Sequence, residues 1–198
     1  HPEVAWAELE LSKNLIKLQR SAEALPLLQA VLPRFTQAFG ATHHRTLNAL
    51  NALSYAQIDC KYSDAEAGLR ELLRRHREAG TATSDYIYFQ GWTNLARLLT
   101  LQGRLHEAAT EFEALLPQAR QVLGADHRTP VGAAQHYGSC LLRLKRWSAA
   151  RSVLAEVRPQ LIRIYGPEHA LVQANAAGYG EATHALGLPA TAGELPSE

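Results

Sequence analysis

The sequence predicts an all-α protein, an α-solenoid in which helix–turn–helix units are stacked one on another. Two observations predict this fold class. Residues that favour helices, above all Ala, Leu, Glu, Gln and Arg, dominate throughout the 198 residues. Side-chain types also recur at a fixed step of 42 residues, and a period of about 20 to 50 residues is the signature of a helical repeat array.

The 42-residue step appears in five superposed series, one apolar, one of small residues, one at the junctions between repeats, one of Gly and one of Pro. They are Leu11, Leu53, Leu95 and Tyr137; Ser12, Ser54, Ala96 and Gly138; His1, His43, Asp85, His127 and His169; Gly40, Gly124 and Gly166; and Pro33, Pro117 and Pro159. Chance does not produce five series in one register, so we infer four full repeats and part of a fifth.

The stretch Trp92–Phe112 shows what one repeat contains. Trp92, Leu95 and Leu99 fall on one face at helical spacing, which indicates a buried stripe. Gly103 then ends the helix, and the apolar period resumes at Ala108. Two helices joined by a short turn can therefore face each other.

These residues resemble the signature of the tetratricopeptide repeat (TPR), with Trp92, Leu95 and Ala96 followed by Ala108 and Phe112. The 42-residue length and the Gly-x-x-His junctions are similar to the longer repeats of kinesin light chains and of many bacterial multidomain proteins. The resemblance covers about residues 1–186. It implies a right-handed solenoid whose concave groove binds protein segments.

We name the first helix of each repeat A and the second B. The periodicity predicts A and B helices over residues 3–18 and 22–39, 45–60 and 63–79, 85–102 and 105–123, 129–144 and 147–165, and a last A helix over 168–186. The repeats then span about 1–42, 43–84, 85–126, 127–168 and a partial 169–188, and 189–198 is predicted to be a disordered tail.

Small residues open each B helix, where a larger side chain would hold the A helix away. They are Ala24, Ala65, Ala108 and Ala150. Gly40, Gly124 and Gly166 are expected to end B helices. The recurring prolines are expected to bend the B helices.

The second repeat is irregular, and its exit loop, residues 80–85, is predicted to be the most mobile internal segment.

Composition argues against several functional classes. The formal net charge is +1, so a general basic field for nucleic acid is missing, and the basic run 73–77 is interpreted as a solvated helix face. No apolar run approaches the ~18 residues of a membrane span.

Cys60 and Cys140 are predicted to be free thiols, which favours a cytoplasmic location. Because Met is absent and residue 1 lies inside a repeat, we expect a domain of a longer bacterial protein.

No motif predicts an enzyme, a metal site or a cofactor. The junction histidines are too far apart for one ion and are interpreted as helix caps, and His43–His44 makes a weak metal site. Ser139 lies within His136–Cys140, which lacks the flanking glycines of a nucleophile elbow.

The resemblance to TPR proteins places the ligand-facing residues on the A helices. Carried onto this sequence it predicts a peptide-binding set, which we call the groove set: Lys13, Lys17, Asn48, Asn51, Tyr55, Gln90, Asn94, Arg97, Gln135, Ser139 and Arg143. Asn and Gln can hold a peptide backbone, and Lys and Arg can bind carboxylates. The alternative is that these are exposed polar residues without a ligand. Glu10 and Asp59 interrupt the positive line.

Three functional hypotheses remain. The first is a non-enzymatic scaffold that binds an extended, possibly acidic peptide in the groove. The second is a regulatory or sensor domain of a larger bacterial signalling protein, a kinase or a transcription regulator, packed on its own effector domain. The third is self-association through the C-terminal helix, where Leu171, Val172 and Ala176, with Tyr179 and Leu186, could form an apolar strip.

Overall fold

The computed structural model describes residues 2–61, 63–81 and 84–189 of the chain. Within those ranges it contains nine α-helices and no strand. They are α1 (Pro2–Lys17), α2 (Ser21–Phe39), α3 (His44–Asp59), α4 (Ala65–Glu78), α5 (Tyr86–Leu101), α6 (Leu105–Leu123), α7 (Arg128–Arg143), α8 (Trp147–Tyr165) and α9 (Ala170–Ala185). The predicted all-α class is confirmed, and each helix end lies within two residues of its prediction.

The A helices begin at side chains that accept a hydrogen bond from the backbone. The imidazole Nδ1 atoms of His43, His127 and His169 accept from the amide two residues ahead at 3.2, 3.2 and 3.1 Å. Asp85 Oδ1 accepts from the Ile87 amide in the same way at 2.9 Å. The predicted capping role of the junction residues is therefore confirmed. His1 lies outside the described residues.

The turns from A to B helices share a backbone feature that the sequence pattern did not reveal. At one position per repeat, 42 residues apart, φ is positive. The residues are Gln19, Lys61, Gly103, Lys145 and Gly187, with φ between 58° and 83°. After Gln19, Gly103, Lys145 and Gly187, the amide of the next residue donates to a carbonyl five residues back and closes the helix in a Schellman arrangement, as in Arg104 N to Leu99 O at 3.0 Å. Only Gly103 was predicted to end a helix, because Gln and Lys seldom occupy this conformation.

The helices form two compact units, residues 1–98 and 99–198. In the first unit α2 packs between α1 and α3, where Leu9, Leu28 and Leu53 belong to one core cluster. In the second unit α8 packs on α7 and α9, and Leu141, Ala150 and Ala182 form a core cluster. Each unit is thus held together by contacts between neighbouring helices.

The recurring small residues lie where close packing was expected. The alanines that open the B helices, Ala24, Ala65, Ala108 and Ala150, are all fully buried. α2, α6 and α8 continue through Pro33, Pro117 and Pro159, and the bending role of these prolines stays a prediction. Gly40, Gly124 and Gly166 follow the last residue of these same B helices.

The second repeat is irregular in the structure as well. α4 has 14 residues, whereas α2, α6 and α8 each have 19. Two residues after the end of α4, Gly80 has a left-handed backbone, and the Thr81 amide donates to the His76 carbonyl at 3.0 Å. Ala82 and Thr83 in the predicted mobile loop, and residues 190–198 in the predicted tail, lie outside the described residues.

Candidate functional site

The groove set lies on the A helices, as the helix register predicted. Lys13 and Lys17 are on α1, and Asn48, Asn51 and Tyr55 are on α3. Gln90, Asn94 and Arg97 are on α5, and Gln135, Ser139 and Arg143 are on α7. Steps of three and four residues place each group on one helix face. Their role in peptide binding stays a prediction, and the side-chain contacts of each unit define what they can do.

In the first unit, amide side chains join α3 to α5. Asn51 Nδ2 donates to Gln90 Oε1 at 3.2 Å, and Asn94 Nδ2 donates to Asn51 Oδ1 at 3.2 Å. Asn51 and Asn94 are buried, and Gln90 is half-buried. Because these amides already satisfy one another, only Gln90 reaches toward solvent, and the chain of bonds fixes its orientation.

One helical turn further along, Arg97 forms an ion pair with a residue outside the groove set. Arg97 Nη2 lies 3.2 Å from Asp59 Oδ1, and its Cζ stands 5.1 Å from the centre of the Tyr55 ring. Ser21 donates to Asp59 Oδ2 at 2.9 Å. The carboxylate therefore neutralises Arg97, and the sequence signal was the acidic residue that interrupts the positive line.

The remaining first-unit members differ in their surroundings. Lys13 Nζ lies 3.0 Å from Glu10 Oε1, so its charge is compensated within α1. Lys17 is exposed at the C-terminal end of α1, and Asn48 is buried in α3. No carboxylate of the described residues lies within ion-pair distance of Lys17, so its charge is open to a partner.

In the second unit, the predicted Gln135 has a partner that sequence reasoning missed. Asn175 Nδ2 donates to Gln135 Oε1 at 2.8 Å and to the Leu154 carbonyl at 3.0 Å. Both amides are almost wholly buried. The available signal was a lone Asn in a register that otherwise holds Ala49, Gly91 and Ala133.

Ser139 and Arg143 follow Gln135 along the same face of α7. Ser139 Oγ donates to the Gln135 carbonyl at 3.2 Å. Arg143 Nη1 donates to the Thr100 carbonyl in the last turn of α5, where a cation is favoured by the helix dipole. Arg143 is exposed, and no described carboxylate lies within ion-pair distance of it.

Comparison with solved structures relates this arrangement to known repeats. Two crystal structures of nearly identical TPR-like repeats of a putative kinesin light chain from Podosopora anserina, one of them a single-residue variant, each superpose with a TM-score of 0.72 at 18% identity. They cover 94% of this chain and 88% or 89% of the other. The chain has a TPR-like repeat fold.

The crystal structure of BtubC (BKLC) from P. vanneervenii is also similar, with a TM-score of 0.62 at 16% identity, covering 92% of this chain and 66% of that one. No protein-family model matches the sequence. No curated protein matches it either. The predicted resemblance to kinesin-light-chain-like repeats is confirmed as a likeness of fold, and a bacterial origin stays a prediction.

The basic run of this TPR-like chain is largely neutralised on α4. Arg74 and Arg75 each donate to Glu71 at 2.7 Å, and Arg74 also pairs with Glu78. Hydrogen bonds from the two arginines lower the pKa of Glu71 to about 2. His76 is buried. The prediction of a solvated helix face therefore holds for the exposed Arg74 and Arg77 and is wrong for His76.

The described residues were also surveyed for other chemistry. They contain no group of three or more His, Cys, Asp or Glu side chains able to hold a metal ion. No helix among them is long and apolar enough to cross a membrane. Cys60 and Cys140 are free thiols. Burial and a hydrogen bond to Glu113 raise the pKa of Tyr137 to about 12, so this phenol stays protonated as a donor.

Proposed function

We propose that the protein is a non-enzymatic interaction module that holds an extended, acidic peptide segment along its A helices. TPR-like repeats are typical of protein–protein interaction scaffolds. The observation that carries the acidic preference is the state of Arg143, whose guanidinium is anchored on a backbone carbonyl and has no carboxylate partner among the described residues. Such a group is positioned to bind a carboxylate with two parallel hydrogen bonds.

Lys17 supports the same preference in the first unit. It occupies the position 126 residues before Arg143, three repeats earlier in the register, and is also an exposed cation at the end of an A helix. Two open cations at equivalent positions of two units give each unit one carboxylate-binding group. Arg97 and Lys13 contribute less, because Asp59 and Glu10 compensate their charge.

The amides have a different part in this proposal. Asn51, Asn94 and Gln135 are buried and bonded to one another or to Asn175. They hold neighbouring A helices in register, and the half-buried Gln90, Ser139 and Tyr55 are the neutral groups within reach of a peptide. Fewer side chains can therefore bind the peptide backbone than the sequence pattern suggested. Specificity then depends more on the charged side chains than on the amides.

The test is a synthetic peptide array of graded acidity probed with the wild-type protein and with Lys17→Glu, Arg143→Glu and the double variant. We expect the wild type to retain acidic peptides and each reversal to weaken retention about fivefold or more. Arg77→Glu, which reverses an exposed cation on the B helix α4, is the matched control and should bind as the wild type does.

Retention of one peptide set by all variants would contradict the assignment of these cations. If no variant and no wild-type sample retained any peptide, the hypothesis of a regulatory domain packed on its own effector would become the better one.

A further inference from the structure

His76 lies in the core register of the B helix α4. It is the eleventh residue after Ala65, the alanine that opens this helix. The same position holds Phe35 in α2, Ala119 in α6 and Leu161 in α8, and these three side chains are fully buried. His76 is fully buried as well. A side chain that can take up a proton near neutral pH therefore occupies a place where the other B helices have apolar side chains.

The imidazole joins the end of α4 to α5. The ring centres of His76 and Tyr88 are 5.8 Å apart in an edge-to-face arrangement. Tyr88 is buried and packs in turn on Trp92, with ring centres 5.7 Å apart. One helical turn before His76, Leu72 shares a core cluster with Ile87 of α5. The contact between His76 and Tyr88 thus extends the packing of α4 on α5 into the C-terminal turn of α4.

The hydrogen bonds of the ring determine which nitrogen can take up a proton. His76 Nδ1 lies 2.9 Å from Thr81 Oγ1, and this hydroxyl donates to the His76 carbonyl at 3.4 Å. Because a hydroxyl has one hydrogen, Thr81 accepts from Nδ1, and the neutral ring carries its hydrogen there. Nε2 is buried and has no hydrogen-bond partner among the described residues. An added proton would go to Nε2, where the new N–H would have no acceptor and the positive charge would be buried.

The groups that face His76 from α3 and α5 do not compensate such a charge. Asp85 Oδ1 accepts from the Ile87 amide at 2.9 Å, and Asp85 Oδ2 lies 3.4 Å from Nδ1 of His44 at the start of α3. No described carboxylate lies within ion-pair distance of His76. Burial lowers the pKa of His76, Asp85 raises it by a smaller amount, and His44 lowers it further.

The other titratable groups beside His76 are cationic or neutral. Arg75 and Arg77 are its neighbours in the last turn of α4, and Arg75 is paired with Glu71 at 2.7 Å. Tyr88 of α5 is a neutral phenol near pH 7. Protonated His76 would therefore add a positive charge to surroundings that already contain positive charges.

We propose that His76 is an acid-sensitive latch between α4 and α5. In acid, Nε2 takes up a proton, the imidazole leaves the core, and the C-terminal turn of α4 separates from Tyr88 while the rest of the fold remains intact.

The sign and the size of the effect follow from the two forms of the latch. In the open form the ring titrates near its ordinary pKa of 6.5, and in the closed form burial keeps the pKa lower. Neutral His76 therefore favours the closed form above pH 6.5. Below that value the population of the open form rises by up to about tenfold for each pH unit.

The test is hydrogen–deuterium exchange of the purified chain at pH 7.5 and pH 5.5, read by mass spectrometry and corrected for the intrinsic pH dependence of amide exchange. Asp and Glu side chains stay largely ionised at both pH values. Protection of the last turn of α4 and the first turn of α5 should fall by up to about tenfold at pH 5.5. The last turns of α2 and α8, which have Phe35 and Leu161 in place of the imidazole, should keep their protection.

Two variants remove the titrating ring in different ways. His76→Leu introduces the side chain that α8 has at this position, and His76→Gln keeps a polar group near Thr81. Both should abolish the acid-dependent loss of protection, and helical circular dichroism shows whether each is folded. A variant that fails to fold leaves the other to decide. His44→Gln, which removes the exposed imidazole beside Asp85, is the matched control and should retain the loss.

Equal protection of the α4 and α5 turns at both pH values in the wild type would overturn the proposal. A loss that persists in the folded His76 variants, or that disappears in His44→Gln alone, would do so too, because other groups would then cause it. A loss spread evenly over the first unit would mean that acid unfolds the whole unit, which contradicts a local latch.

Discussion

Arg97 on α5 and Asp59 at the end of α3 form an ion pair of 3.2 Å across neighbouring A helices. Both side chains are about one quarter exposed, and Ser21 holds the second carboxylate oxygen at 2.9 Å. The pair links two A helices on the face assigned to peptide binding. Arg97, which the sequence predicted as a carboxylate-binding cation, is thus already paired with a carboxylate of the same protein.

Removing this carboxylate should strengthen the binding of an acidic peptide. In Asp59→Asn the guanidinium of Arg97 keeps its place over the Tyr55 ring but loses its counter-charge, so we expect affinity to rise about two- to fivefold, as for one partly exposed ion pair. Fluorescence anisotropy with a labelled acidic peptide retained by the wild type measures this. Asp126→Asn, which removes the exposed partner of Arg163 in the second unit, should leave affinity unchanged.

Lower affinity in Asp59→Asn, or an equal rise in Asp126→Asn, would contradict the role given to Arg97.

The 42-residue periodicity predicted the helices because each repeat carries the same apolar spacing, helix caps and small residues. Caps such as His127 and the alanines that open the B helices recur at steps of 41 to 43 residues, and the structure uses them as expected. Local propensity and apolar pattern agree at these positions, which is why helix ends were predicted closely.

The pattern could not predict how polar side chains on one face pair with each other. Asn51, Asn94 and Gln135 have the register of ligand-facing residues, yet their partners come from helices about 40 residues away in sequence. Asn175 lies at a position that holds small residues in the earlier repeats, so the TPR pattern did not mark it as a functional residue. Side-chain pairing between helices depends on their relative placement, which spacing within one helix does not contain.

The buried amide pair of the first unit should contribute to stability cooperatively. Asn51→Ala leaves Asn94 with a donor but no acceptor inside the protein, and we expect a loss of about 1–3 kcal/mol in the free energy of unfolding. The double variant Asn51→Ala/Asn94→Ala should cost less than the sum of the two single changes. Urea unfolding followed by circular dichroism gives these values, with Asn14→Ala on the exposed face of α1 as control.

Additive costs for the two single variants would show that the hydrogen bond contributes nothing beyond the separate packing of each side chain.

His76 should make the stability of the first unit depend on pH. It is fully buried, its Nδ1 lies 2.9 Å from Thr81 Oγ1, and its Nε2 has no hydrogen-bond partner among the described residues. Burial lowers the pKa of His76 below its ordinary value of 6.5, with a smaller opposite effect of Asp85 and a further lowering by His44. The unfolded chain therefore takes up a proton near pH 6.5 that the folded chain resists.

Stability contributed by neutral His76 is present above pH 6.5 and is lost as the pH falls below that value. Thermal unfolding at pH 7.5 and pH 5 should show a larger decrease in Tm for the wild type than for His76→Gln. His184→Gln, at an exposed position of α9, should keep the wild-type pH dependence. An unchanged decrease in His76→Gln would assign the effect to other groups.

The two thiols should differ in reactivity. Cys140 is fully buried, its Sγ donates to the Leu105 carbonyl at 3.4 Å, and burial raises the pKa of its thiol. Cys60 is half-buried at the end of α3. Because the thiolate is the reacting form, a disulfide reagent should label Cys60 in the folded protein and Cys140 only after unfolding. Cys60→Ser should remove the early reaction, and Cys140→Ser should leave it intact.

Gly138 and Gly180 occupy the same position in two successive A helices but have opposite surroundings. A methyl group on Gly138 would overlap the side chain of Leu154 and stand 2.7 Å from its Cγ, whereas nothing lies within 4 Å of the same site on Gly180. Gly138→Ala should therefore destabilise the second unit by about 1–3 kcal/mol through overpacking. Gly180→Ala should stabilise α9 by up to about 1 kcal/mol, because Ala loses less backbone entropy than Gly in a helix.

Urea unfolding of the two variants measures the difference directly, and it also reports on the last repeat. In the earlier repeats this register faces the B helix of the same repeat, as Leu154 of α8 faces Gly138, and α9 has no such cover among the described residues. Equal destabilisation by both substitutions would mean that a further element packs against Gly180. A stabilising effect at Gly180 alone would support α9 as a helix whose outer face is in contact with water.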